Sequence, residues 1–196
     1  MRRRTLLLAL PPVIALAACG GMPGQPTLVG TTRQTVNGIS VEPQIAWTRL
    51  PAMVVGGREP GEIWTVDGPL LDQLRFYGGV QPGAGLGVQA QGASLPMFRA
   101  GMSTSELAEL VTDTVAARGN SGVEVVALAP ARFAELDGFL LDYRFRNPRG
   151  LELRGRARGA VRGDRLYLIV FEAAADHYFP RHAPAVDRLM QSAQIA

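Results

Sequence analysis

The sequence predicts an α+β domain: an antiparallel sheet with a C-terminal strand meander, packed by a central and a C-terminal helix. Three observations carry that reading. Ser103 to Gly119 holds one well-punctuated amphipathic helix. Four strand-like apolar runs follow between residues 123 and 171, and strong turn signals separate the last three. A second helical pattern closes the chain near residues 179–192. Strands, helix, meander and helix, in that order, are how helices pack on an antiparallel sheet.

The first elements are short. Val36 to Ala46 places Ile39, Val41 and Ile45 at period two, as a strand with one buried face does. Glu62-Ile63-Trp64-Thr65-Val66 is a β-rich run stopped by Asp67-Gly68, a turn signal. Leu70, Leu71, Leu74 and Phe76 continue as a helical or extended segment. Gly78 to Pro96 holds six glycines and no charged residue, and reads as a long surface loop. Trp47, Trp64, Phe76 and Tyr77 are read as core in preference to an aromatic groove.

The central helix spans about Thr104 to Arg118. Ser103 and Glu106 have capping-box spacing, and Gly119 supplies the stop. Leu107, Leu110, Val111 and Val115 form one apolar stripe, so this helix needs a core to lie on. Strands are then expected at Val123–Ala127, Phe139–Arg146, Leu151–Arg162 and Leu166–Phe171. Asn147-Pro148-Arg149-Gly150 and Gly163-Asp164 turn the last three into an antiparallel meander. The final helix, about Phe179 to Ser192, keeps Pro180 and Pro184 near its start and turns Val186, Leu189 and Met190 inward.

The domain boundaries follow from the first 34 residues. Arg2, Arg3 and Arg4 precede an apolar run from Leu6 to Ala17, too short to span a bilayer as an ordinary helix. Leu16-Ala17-Ala18-Cys19 then places small residues before the single cysteine of the chain. This pattern resembles the lipobox of bacterial lipoproteins. The resemblance implies cleavage before Cys19, a diacylglyceryl group on its thiol, and acylation of the new amine. Residues 1–18 are then a signal peptide, 19–34 the lipidated cysteine and a flexible tether, and 35–196 a single domain. The tether reaches roughly 20 Å for a flexible Gly- and Pro-rich chain of this length. Gly20 is not the aspartate that retains many enterobacterial lipoproteins in the inner membrane, so the sorting rule favours the periplasmic face of the outer membrane.

Charge excludes some functions. All 20 basic residues are arginine, and three lie in the signal, leaving 17 against 17 acids once it is removed. A net charge of zero gives no support for nucleic-acid binding or for a polybasic membrane patch. With Cys19 lipidated, the domain has no thiol for catalysis, disulfides or metal.

The candidate binding residues are arginines. Asp142, Arg144 and Arg146 alternate along one strand, and Glu152, Arg154, Arg156 and Arg158 along the next. The connection between them sets Arg146 opposite Glu152, Asp142 opposite Arg156, and Phe145 opposite Leu153 on the other face. Arg144, Arg146, Arg154, Arg156 and Arg158 can grip an anionic partner or ligand, or can simply be a solvated sheet face. On the opposite face, Gly155, Ala157 and Gly159 leave room for something bulky, a helix or a ligand.

No catalytic or metal-binding set is expected. His177 and His182 are the only histidines and do not share a helix face. Asp176 is read as the cap of the last helix, with both histidines on the surface. Ser94, Ser103, Ser121 and Ser192 lie outside any G-x-S-x-G elbow. Gly83-Ala84-Gly85-Leu86-Gly87 lacks the spacing of a dinucleotide fingerprint, and Arg162-Gly163-Asp164 is a hairpin turn. No cofactor is called for.

From about residue 97 to 195 the element order, with Leu166-Tyr167-Leu168-Ile169, Phe179 and Ser192 in its closing strand and helix, resembles the PsbP/Mog1-type domain found in small bacterial lipoproteins. That resemblance implies a binding or assembly module, since such domains are mostly non-catalytic. The expected function is therefore a membrane-anchored, non-enzymatic envelope lipoprotein with an envelope protein as partner. The alternatives are a small-ligand or lipid-binding carrier and, behind it, an envelope hydrolase using His177 or His182.

Overall fold

A computed structural model describes residues 25–51, 62–87, 92 and 94–196. Residues 1–18, Cys19 and the start of the tether lie outside the described residues. In chain order the strands are β1 (Thr27–Val29), β2 (Gln34–Val36), β3 (Ile39–Val41), β4 (Trp47–Leu50), β5 (Glu62–Thr65) and β6 (Asp72–Val80). Helix α1 (Thr104–Ala117) follows, then β7 (Ser121–Phe133), β8 (Leu136–Arg146), β9 (Glu152–Arg162) and β10 (Arg165–Ala174). Helix α2 (Tyr178–Gln191) and β11 (Gln194–Ile195) complete the chain.

Eight strands form one antiparallel sheet in the order β1-β4-β5-β6-β10-β9-β8-β7. The meander β7 to β10 is sequential, and β6 joins it through β10. A second sheet, β11-β3-β2, is small. The register across β8 and β9 is the expected one: Arg146 opposes Glu152, Asp142 opposes Arg156, and Phe145 opposes Leu153.

The large sheet is buried on both faces. Alternation along β10 sends Leu166, Leu168 and Val170 to one side, against the Leu107, Leu110, Val111 and Val115 stripe of α1. Ile169, Phe171 and Ala173 point to the other side, against Phe179, Val186, Leu189 and Met190 of α2 and the small sheet. Two buried faces explain why Leu166–Phe171 is a continuous apolar run. Trp47, Trp64, Phe76 and Tyr77 are all core.

Several local expectations change. The strand pattern from Val36 is a hairpin: Asn37 (φ 50°) and Gly38 (φ 76°) turn β2 into β3. This is the type I′ geometry that an Asn-Gly pair favours. That turn packs on β6, where Asn37 Nδ2 donates to the Phe76 carbonyl. A Cβ on Gly78 would lie 1.5 Å from the Asn37 carbonyl oxygen, so only glycine admits the contact.

The tether is shorter than expected. Thr27–Val29 pairs with Trp47–Arg49, and Val29 is buried against the core. The segment Leu70–Phe76 is extended from Asp72 onward. The glycine-rich stretch is only partly a surface loop, since β6 runs to Val80, Gly85 bridges to Met97, and Leu86 and Phe98 are buried. Residues 88–91 and 93 of that stretch lie outside the described residues.

Helix α1 has the expected capping box, with Ser103 and Glu106 bonding reciprocally. Asp176 does not cap α2. His177 occupies that position and makes no side-chain capping bond. The small residues of β9 are covered from within the sheet. Tyr143 lies opposite Gly155, and a Cβ there would fall 2.0 Å from its ring carbon Cζ. Helix α1 packs over this layer.

Candidate functional site

The expected arginine face is largely spent on the fold. Arg156 is clamped by Asp142 at 2.6 and 2.8 Å and by Asp187 of α2 at 2.7 Å. The Asp142 hydrogen bond, opposed by burial, holds its guanidinium more firmly charged than usual, and Asp187 adds to this. Arg154 stacks its guanidinium 4.4 Å from the centre of the Phe179 ring. Arg158 donates Nε to the Arg132 carbonyl at 2.8 Å. Arg144 pairs with Glu124 at 2.7 Å, and Arg146 stands 3.8 Å from Glu152. Helix α2 lies over the Arg154 and Arg156 end, which leaves Arg144 and Arg146 as the cations most open to solvent.

His182 is not a surface residue. It is 4% exposed, and its Nε2 lies 2.5 Å from Asp67 Oδ2. Arg181 Nη1 adds a longer contact to Asp67 at 3.6 Å. Asp72 organises the turn that presents Asp67, accepting from Thr65 Oγ1 and from the backbone N–H groups of Val66 and Asp67. The dyad therefore fastens α2 to the β5–β6 turn. His177 is stacked edge-on against Tyr178, separate from His182.

A polar cluster that no sequence motif marked sits at the end of the sheet on the α1 side. Alternation places Arg75 of β6, Tyr143 of β8 and Glu172 of β10 on that face, and Arg118 reaches it from the end of α1. Glu172 accepts from Arg75 Nη1, from Arg118 Nη1 at 3.1 Å, and from Tyr143 Oη at 2.8 Å. Arg75 also donates to Gln73 Oε1.

Arg75, Tyr143 and Glu172 are each 6% exposed or less. Burial by itself would raise the Glu172 carboxyl, but Arg118 and Arg75, helped by the Tyr143 hydrogen bond, pull it down to about 2. Burial, and next the neighbouring Glu172 charge, push the Tyr143 phenol well above its ordinary range. Arg75, Arg118 and Glu172 floor a cleft of about 230 Å³, walled by Pro69–Leu71, Asn120, Asn147 and Leu153. A lone acid within the apolar run Leu166–Ala174 is the one sequence signal that could have found it.

The sheet order and both helices compare directly with solved proteins. Cyanobacterial PsbP (CyanoP) from Synechocystis sp. PCC 6803 is similar at a TM-score of 0.57 and 15% identity, covering 92% of this chain and 99% of that one. The chain has a PsbP-like fold. PA94 from Pseudomonas aeruginosa, a protein of unknown function, is similar at a TM-score of 0.45 and 16% identity, over 82% of this chain and 94% of its own; a likeness that low carries no argument. No family model matches the sequence, and no curated protein does. The PsbP-like likeness extends to the fold alone.

Besides the cluster, the outermost strand β7 offers a second surface among the described residues. β7 is an edge strand of 13 residues with three apolar side chains open, Val125 at 46%, Val126 at 55% and Leu128 at 37% exposed, while Phe133 at its end is buried. Its register with β8 shifts between Ser121 and Glu124 and again between Val125 and Ala127. Bulges and Pro130 interrupt the free edge, which works against strand-to-strand aggregation.

Proposed function

We propose that this chain is a lipid-anchored, non-enzymatic binding or assembly module of the bacterial envelope, held by Cys19 at the periplasmic face of the outer membrane. The anchor rests on the Leu16–Cys19 pattern. The PsbP-like fold supports the module, and the observation that carries it is the open apolar strip Val125, Val126 and Leu128 on β7. Exposed aliphatics grouped on one strand mark a surface made to be covered. The partner is a polypeptide that packs apolar side chains on this strip, of which Val125 and Leu128 share the sheet face of Tyr143 and Leu141. Interruption of the β7 edge favours such side-chain packing over strand addition.

The carrier reading loses its original support, because the Tyr143 ring fills the space over Gly155. Of the two histidines of the hydrolase reading, His182 is buried and held by Asp67, which leaves His177 as its base.

In-cell crosslinking, detergent extraction and affinity capture test the proposal. The expected result is one envelope protein captured near stoichiometry with the native chain and lost with Cys19→Ala and with Val126→Asp. Capture that is unchanged in both variants, or the absence of any partner above background, overturns it.

A further inference from the structure

We propose that one corner of the large sheet, built from Leu28 of β1, Leu70 of the β5–β6 turn and Leu151 of the β8–β9 turn, rests on the phospholipid surface to which Cys19 fastens the chain. The inference rests on the lipid anchor proposed above and adds how the domain stands on the membrane. Leu28 and Leu70 are the two most exposed large apolar side chains among the described residues, at 79% and 65%, and Leu151 is 40% exposed. The three lie together. Leu28 opposes Thr48, and Thr48 opposes Thr65 at the end of β5, so Leu28 stands about 10 Å from the start of the turn that carries Leu70. Leu70 lines one cleft with Asn147. The Asn147 backbone N–H donates to the Leu151 carbonyl, and Asn147 Oδ1 accepts from the Leu151 N–H, both at 3.0 Å. Val29 packs in the α2-side core, so alternation turns Leu28 to the α1 side, where the cleft opens.

What covers this corner follows from the chain that leads to it. Thr27 is eight positions from Cys19 and is already paired in the sheet, opposite Arg49. A chain of that length spans at most about 28 Å. An acylated Cys19 stays in the bilayer, so β1 is the strand of the large sheet that the anchor draws to the headgroups. β7, at the opposite edge of the eight strands, stands about 34 Å away at the usual strand spacing. The helices offer no apolar alternative, since Glu109 and Asp113 are exposed on α1 and Arg181 and Arg188 on α2.

The charges of the corner suit phosphate headgroups. Arg149 is exposed on the β8–β9 turn and pairs with no acid among the described residues. Arg146 and Arg181 are also open. Of the acids at this end, Glu152 stands beside Arg146, Asp67 is held by His182 and Arg181, and Asp176 remains exposed. Aliphatic side chains that enter the headgroup layer beside arginines that reach its phosphates are how a surface lies on a membrane. The β7 strip keeps clear of the lipid. Val125 is four residues in from Ser121, which pairs with Arg146 at this end, so the strip begins about 13 Å above it.

Site-directed labelling of the lipidated chain tests this. Cys19 is the single cysteine and its thiol is acylated, so an introduced cysteine is the one site for a thiol-reactive dye. Leu28→Cys, Leu70→Cys, Leu151→Cys and, as a reference, Val126→Cys are labelled with an environment-sensitive dye. Each is reconstituted into vesicles of phosphatidylethanolamine and phosphatidylglycerol that carry a spin-labelled lipid. Quenching by that lipid should be several-fold stronger at the three leucine positions than at the reference. Adding Leu28→Asp with Leu70→Asp to the Leu151→Cys chain should bring its quenching down to the reference level without lowering the melting temperature, because both side chains are exposed. Equal quenching at all four positions in chains that float with the vesicles, or quenching undiminished by the two aspartates, overturns the proposal and leaves the anchor standing. A chain that does not float with the vesicles, and whose Cys19 itself takes the dye, overturns the anchor and the proposal with it.

Discussion

Glu172 shows how one buried charge constrains a strand. It lies at the end of β10, where the apolar run would otherwise continue, and receives hydrogen bonds from Arg75, Arg118 and Tyr143. Glu172→Gln would leave two guanidiniums facing a neutral amide, and should destabilise the fold by about 3–5 kcal/mol in urea titrations. Because the folded carboxyl is depressed to about 2 from an ordinary 4.5, its contribution is complete above the unfolded value. That contribution is lost as pH falls from about 4.5 to about 2. Unfolding measured across that window should show the native chain losing stability more steeply than the Gln variant. At Gly155, substitution by alanine drives Cβ into the Tyr143 ring, so Gly155→Ala should cost roughly 1–3 kcal/mol. Gly163→Ala offers a contrast: its space is open, so any cost there comes from its positive φ of 63°.

At the scale of elements, the two helices are held by different means. Helix α1 is closed locally by Ser103 and Glu106 and by its apolar stripe. Ser103→Ala should lower stability by about 0.5–2 kcal/mol, read as a shift in the urea midpoint at constant slope. Helix α2 lacks a side-chain cap and is fixed laterally instead, through His182 to Asp67 and through Asp187 to Arg156. Replacing both contacts, by His182→Ala with Asp187→Ala, should lower amide-exchange protection in α2 far more than in α1. Equal loss in both helices would mean that α2 unfolds only with the whole domain. The paired registers Arg146–Glu152 and Asp142–Arg156 were legible because the short turn between β8 and β9 leaves little freedom of pairing. The Asn37-Gly38 hairpin was equally local, but the period-two pattern around it masked the turn.

At the scale of the whole molecule, a doubly covered sheet leaves few places for a partner. Helix α1 and helix α2 with the small sheet close its two faces, and β1 at one edge has three residues. β7 at the other edge is long and open. Val126 is 55% exposed, so Val126→Asp should change unfolding free energy by less than about 0.5 kcal/mol while lowering partner capture. A large loss of stability on that change would place Val126 in the core.

The sequence by itself determined the α+β class, both helices, the meander and its register, because periodicity, caps and turns act over a few residues. The arginine-bearing face was also visible, but what its cations do was not, since Asp187 reaches Arg156 from a helix 31 positions away. Tertiary structure alone decided that β6 pairs with β10, from Leu74 opposite Phe171 to Arg75 opposite Val170. That pairing gathers Arg75, Tyr143, Glu172 and Arg118 into one cluster, and it buries His182 beneath Asp67. Such contacts join residues scores of positions apart, and the free energy that selects them, burial of two sheet faces at once, belongs to the folded molecule and to no local segment.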